Sequence, residues 1–122
     1  MNPQDLLFYH LFNDRYESDV NIYESENQYK FTFPAMGIKR DSISIEFDKD
    51  KKILSVKAVT KDDISHFNTI HTGFVLDTIN ESVKIPKPID NDNIKATLED
   101  GILTITLNKI VVKSEVVKIN VN

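Results

Sequence analysis

From Val20 to Leu107 apolar and polar residues alternate with a period of two, the spacing of a strand that buries one face. Val20 and Ile22 begin the series. Tyr29, Phe31 and Phe33 alternate with Lys30 and Thr32 and stop at Pro34. Ile43, Ile45 and Phe47 follow, closed by the charged turn Asp48 to Lys52, and then come Leu54, Val56 and Ala58. The pattern returns from Ile79 through Val83 to Ile85, ahead of Pro86 and Pro88. It continues in Ile94, Ala96 and Leu98, and after Asp100-Gly101 in Leu103, Ile105 and Leu107. Seven short strands separated by turn residues predict an all-β, immunoglobulin-like antiparallel sandwich. No helical period of useful length interrupts it.

The flanks read differently. In residues 1–19 the apolar Leu7, Phe8, Leu11 and Phe12 fall on one side of a helix, with Pro3 near its start where a missing N–H is harmless. So short a helix is marginal alone and needs a surface to dock on. Residues 20–107 form the predicted sandwich domain, and residues 108–122 form a tail. The tail ends in Val117-Lys118-Ile119-Asn120-Val121, a strand-like alternation with no later partner. It reads either as a docking arm or as the last strand of the domain. Thr60 to Phe74 is long, polar and weakly patterned. It is either a surface loop or a segment with a task of its own.

Composition narrows the function. With 19 acidic and 15 basic residues the chain carries a net charge of −4 and has no basic block, which disfavours nucleic acid as a partner. It has no cysteine, so disulfides and thiolate chemistry are excluded. No apolar run approaches the roughly 20 residues that span a bilayer. Asp5, His10 and Asp14 occupy the places where a signal peptide would be basic and then apolar. No membrane partner and a cytoplasmic location are expected. Gly37, Gly73 and Gly101 are the only glycines, too few and too scattered for a phosphate-cradling loop. His66 and His71 read as solvated loop histidines, and Asp62, Asp63, Asp90 and Asp92 as hydrated carboxylates. No catalytic residue, metal site or cofactor is expected.

Certain residues resemble a known family. Ala96-Thr97-Leu98-Glu99-Asp100-Gly101-Ile102-Leu103 resembles the signature turn of the α-crystallin domain, with Ala96, Gly101, Ile102 and Leu103 at its key positions. Asp-Gly supplies the positive φ of a tight hairpin. Phe33-Pro34-Ala35-Met36-Gly37-Ile38 resembles the family's Pro-Gly turn, Ile85-Pro86 its Leu-Pro, and Ile119-Asn120-Val121 its C-terminal I-x-I/V motif. The likeness runs in order from Val20 to Val121. The short arms and the Gly73 segment look most like the bacterial inclusion-body-binding type of small heat-shock protein.

That resemblance implies an ATP-independent holdase that binds unfolded or partly unfolded client proteins and passes them to ATP-driven refolding chaperones. It implies that Ile119 and Val121 dock in a groove of a neighbouring subunit, formed by Ile43, Ile45 and Phe47 on one strand and Ile94, Ala96 and Leu98 on another. It also implies that the loop 60–74 crosses to pair with the first strand of a second copy, giving a homodimer that the tails join into a higher oligomer. Leu7, Phe8, Leu11 and Phe12 become a client-binding arm, or equally a stripe that caps the core or packs between subunits. One departure stands out: Glu81 occupies the place where the family often has a basic residue, which removes the usual ion pair at the dimer interface. The alternative is a p23-type co-chaperone module, which generally lacks both the tail motif and the long loop. A coat-like structural sandwich has no positive feature in its favour.

Overall fold

The computed structural model describes residues 19–60, 63–110 and 118–122. Seven strands follow in chain order: β1 (Asn21–Glu24), β2 (Gln28–Pro34), β3 (Ile43–Asp48), β4 (Ile53–Ala58), β5 (Ile79–Lys84), β6 (Lys95–Glu99) and β7 (Ile102–Asn108). Each is a strand expected from the alternation, with ends moved by a residue or two. β6 begins after Ile94, and β7 runs one residue into the expected tail. The only helical piece among the described residues is a single 3-10 turn, Arg40–Ser42, which the alternation does not reveal.

The strands form two sheets, one in the order β1-β2-β7-β6 and the other in the order β3-β4-β5. Every pairing is antiparallel. The inward faces carry the predicted sets. Tyr29, Phe31 and Phe33 of β2, Leu54, Val56 and Ala58 of β4, and Leu103, Ile105 and Leu107 of β7 are all buried. Each large apolar side chain so enclosed contributes about 1.5–3 kcal/mol, so these rows set the register: a one-residue slip turns a whole row to water.

The turns follow their residues. In the β6–β7 hairpin Asp100 has φ 52° and Gly101 φ 73°, so both central residues are left-handed, as a two-residue type I′ turn requires. In the β3–β4 hairpin the Asp48 carboxylate accepts the backbone N–H groups of Asp50 and Lys51, each at 3.0 Å. The chain crosses between sheets at Pro34 to Ile38, where Ala35 N–H donates to the Gly101 carbonyl at 2.8 Å.

Candidate functional site: an apolar groove between two open strand edges

β6 ends one sheet and β3 ends the other, so among the described residues neither strand has a neighbour on its outer side. Between these two edges lies a groove of about 360 Å³, lined by Arg40, Ile43 and Ile45 from the β3 side and by Ala96, Thr97, Leu98 and Glu99 of β6. Leu103, itself buried, also lines it. Alternation explains the lining: Ile43 and Ile45 point inward while Ser44 and Glu46 face water. Among the described residues no strand covers these side chains at this seam. Ile43, Ile45 and Leu98 therefore remain only half-buried, and Ala96 is exposed.

Four of the six groove residues expected from the sequence, Ile43, Ile45, Ala96 and Leu98, thus meet in one cleft. The other two, Phe47 and Ile94, pack half-buried against the core and lie outside the lining. Arg40, Thr97 and Glu99 belong to the groove and were not expected. For Arg40 the available signal was its place just ahead of the inward-facing Ile43. Of the turn motif, Gly101 takes its positive φ, Leu103 is buried, and Ile102 is 42% exposed.

The tail motif is bare. Ile119 is 83% exposed and Val121 95% exposed. Leu7, Phe8, Leu11 and Phe12 lie outside the described residues. The connection between β4 and β5 contains no strand among its described residues, and it exposes Ile64, Phe67, Ile70, Phe74 and Val75, with Ile70 at 99%. β1, the strand expected to receive this segment from a second copy, is an edge strand that pairs, among the described residues, with β2 alone. Glu81 is half-buried on β5, the edge strand of the smaller sheet opposite β3, and faces Val56 in the ladder. Among the described residues no group of three or more His, Asp or Glu side chains is arranged to hold a metal ion.

A charged cluster ties the root of the tail to the sandwich. The Lys109 ammonium donates to Glu24 Oε2 at 2.6 Å and to the Ser25 carbonyl at 2.7 Å, and it sits 4.7 Å from the centre of the Tyr29 ring. Lys87 reaches the same carboxylate at 3.2 Å. Burial alone pushes the Glu24 carboxyl up, but the hydrogen bonds from Lys109 and Lys87 and the Lys109 charge outweigh it and hold it below its ordinary value. Backbone bonds complete the anchor: Lys109 N–H donates to the Asn27 carbonyl at 2.8 Å and Ile110 N–H to the Pro88 carbonyl at 3.0 Å.

A sandwich with an open groove between its edge strands and a bare Ile-x-Val segment is the arrangement that the signature residues implied. A family model described as the Hsp20/alpha crystallin family matches residues 21–122. The chain belongs to the Hsp20/alpha crystallin family. Among curated relatives it is 26% identical over 93 residues to "Heat shock protein 16" of Schizosaccharomyces pombe, covering 75% of this chain and 65% of that protein. It is 24% identical over 102 residues to "Small heat shock protein, chloroplastic" of Solanum lycopersicum, covering 84% of this chain and 43% of that protein. The chain therefore spans about two-thirds and under half of the lengths of these relatives. Among solved structures, a small heat-shock protein from Xylella fastidiosa superposes with a TM-score of 0.65 at 28% identity, covering 84% of this chain and 94% of that one. Among the described residues no helix is long and apolar enough to cross a membrane.

Proposed function

We propose that this Hsp20/alpha crystallin member is an ATP-independent holdase that binds non-native proteins and keeps them from aggregating. The observation that carries this reading is the pairing of an unfilled apolar groove, between β3 and β6, with a tail whose Ile119 and Val121 are almost wholly exposed. Ile119 and Val121 lie two apart, so an extended tail presents both to the same side. An extended segment can lie along an open strand edge and set alternate side chains into such a cleft. Each aliphatic side chain buried this way contributes about 1.5–3 kcal/mol before the tail's ordering is subtracted. One tail thus binds weakly and exchanges, while many tails in an assembly hold by avidity.

Strand exchange through the loop 60–74, with its exposed Ile64, Phe67, Ile70 and Phe74, onto β1 of a second copy forms the underlying homodimer in this reading. The N-terminal arm, through Leu7, Phe8, Leu11 and Phe12, contributes to client contacts. The protein performs no covalent chemistry, takes no cofactor, works in the cytoplasm and hands its clients to ATP-driven refolding chaperones. In this reading the protein is of the bacterial inclusion-body-binding type. Support for self-assembly comes from the exposed apolar loop and tail, and from the Xylella fastidiosa relative, which is described as having a distinct high order structure.

The decisive experiment is light scattering of a heat-denatured client with and without this protein, run alongside its mass in solution. Suppression at near-stoichiometric amounts by an oligomer is expected. A monomer that leaves client scattering unchanged would instead fit a co-chaperone of the p23 type.

A further inference from the structure

The long connection between β4 and β5 leaves and re-enters the sandwich through one knot of hydrogen bonds centred on Asp77. At its start, the Thr60 hydroxyl donates to the Asp77 carbonyl at 2.8 Å. At its end, Asp77 is held on the turn between β2 and β3 from both sides. Its N–H donates to the Met36 carbonyl at 3.0 Å, and its carboxylate Oδ2 accepts the Met36 N–H at 2.7 Å. Packing reinforces the knot. Gly37 has φ +84°, and the Leu76 side chain comes to 3.0 Å from where a Cβ on Gly37 would stand. Leu76 thus packs tightly on Gly37, and a Cβ there would have to push its side chain aside by a few tenths of an ångström.

These bonds extend and fix the neck that the β4–β5 ladder begins at Ala58 and Ile79. They also place that neck against two sheets, because Met36 follows the end of β2 in one and Asp77 precedes β5 in the other. Beyond the neck the loop exposes Ile64, Phe67, Ile70, Phe74 and Val75. The β4–β5 ladder already joins the ends of the loop at Ala58 and Ile79, and the Thr60 and Met36 bonds carry that closure two residues further, so the loop samples fewer conformations than one held at the ladder alone. Part of the ordering cost of binding is then already met in the unbound chain.

We propose that Asp77 is a positioning residue for self-association: by closing the neck at Thr60 and Met36 it sets where the apolar loop is presented to a second copy. This rests on the strand-exchange reading of the loop given above. Asp77 acts through the loop and does not itself touch the partner.

The test uses the full chain carrying Asp77→Ala, Asp77→Asn or Thr60→Val, with the dimer dissociation constant read from sedimentation across a dilution series well below the melting range. Loss of a charge-assisted hydrogen bond is expected to weaken the dimer about tenfold in Asp77→Ala and to speed subunit exchange. Thr60→Val should shift both quantities the same way by less. Asp77→Asn, which keeps an acceptor for Met36 N–H, should stay within about twofold of the native chain. If Asp77→Ala is too unstable to purify, Thr60→Val carries the test. Native dimer affinity in both Asp77→Ala and Thr60→Val, with Phe67→Ser still dissociating the dimer, would overturn the role of Asp77 and leave loop exchange standing. Native affinity in Phe67→Ser as well, or a native chain that is monomeric throughout, would overturn the exchange reading itself.

Discussion

Replacing Ile119 and Val121 together by alanine removes five carbon atoms from the tail while leaving its length, charge and backbone unchanged. At about 0.8 kcal/mol for each buried CH2 group, full docking of both side chains makes the loss about 4 kcal/mol per tail. That is roughly a thousandfold in the tail–groove constant. The same side chains are 83% and 95% exposed in the subunit, so the sandwich loses no packing. Its unfolding free energy should stay within about 0.5 kcal/mol of the native value. The two effects are therefore separable. Size-exclusion chromatography with multi-angle light scattering, run over a concentration series, should show the assembly shifting toward dimers, while the thermal midpoint of the sandwich holds. An unchanged oligomer mass in the double variant would refute groove docking. A large fall in melting temperature would instead mean that the tail is a strand of its own domain.

Other outcomes test separate links. Gly101→Ala places a Cβ in open space but at φ 73°, so only backbone strain of about 1–2 kcal/mol is added, and thermal unfolding should register it. Gly73→Ala, with no such φ and the nearest side chain at 3.6 Å, should be close to neutral in the same measurement. Glu24 is held below its ordinary pKa of 4.5, so its contribution is complete above that value and is lost as pH falls through the lowered one. The stability gap between the native chain and Glu24→Gln, measured by urea unfolding, should therefore shrink between about pH 6 and pH 3, and a gap that widens on acidification would contradict this sign. Deleting residues 1–14 should weaken suppression of client scattering more than it lowers the melting temperature. Unchanged suppression would remove the N-terminal arm from the client-binding role.

The seven strands were legible because each carries its own evidence: Tyr29, Phe31 and Phe33 announce a strand whatever lies around them. The Asp100-Gly101 turn was legible for the same local reason. What stayed hidden depends on residues far apart in the chain. Nothing near Glu24 indicates Lys109, 85 positions later, and nothing near Met36 indicates Asp77. The groove was read in part. Ile43, Ile45, Ala96 and Leu98, which the resemblance named, line one cleft, but neither resemblance nor alternation says where along the two edges it opens. Phe47 and Ile94, given the same reading, pack against the core as Ile43, Ile45 and Leu98 do but lie outside the lining of the cleft. Arg40 was missed because the short 3-10 turn that carries it leaves no periodic trace.

The anchoring of Lys109 and Ile110 turns the tail into a tether with a fixed post. Nine residue steps separate Ile110 from Ile119, so Ile119 can never lie more than about 32 Å from that post, even with the chain fully extended. Only a neighbour whose groove falls inside that radius can be captured. The number of copies that fit around one another is then a matter of spacing and angle between posts and grooves, more than of affinity. Adding or removing residues between Ile110 and Ile119 should change which assemblies can close without altering a single contact in the sandwich.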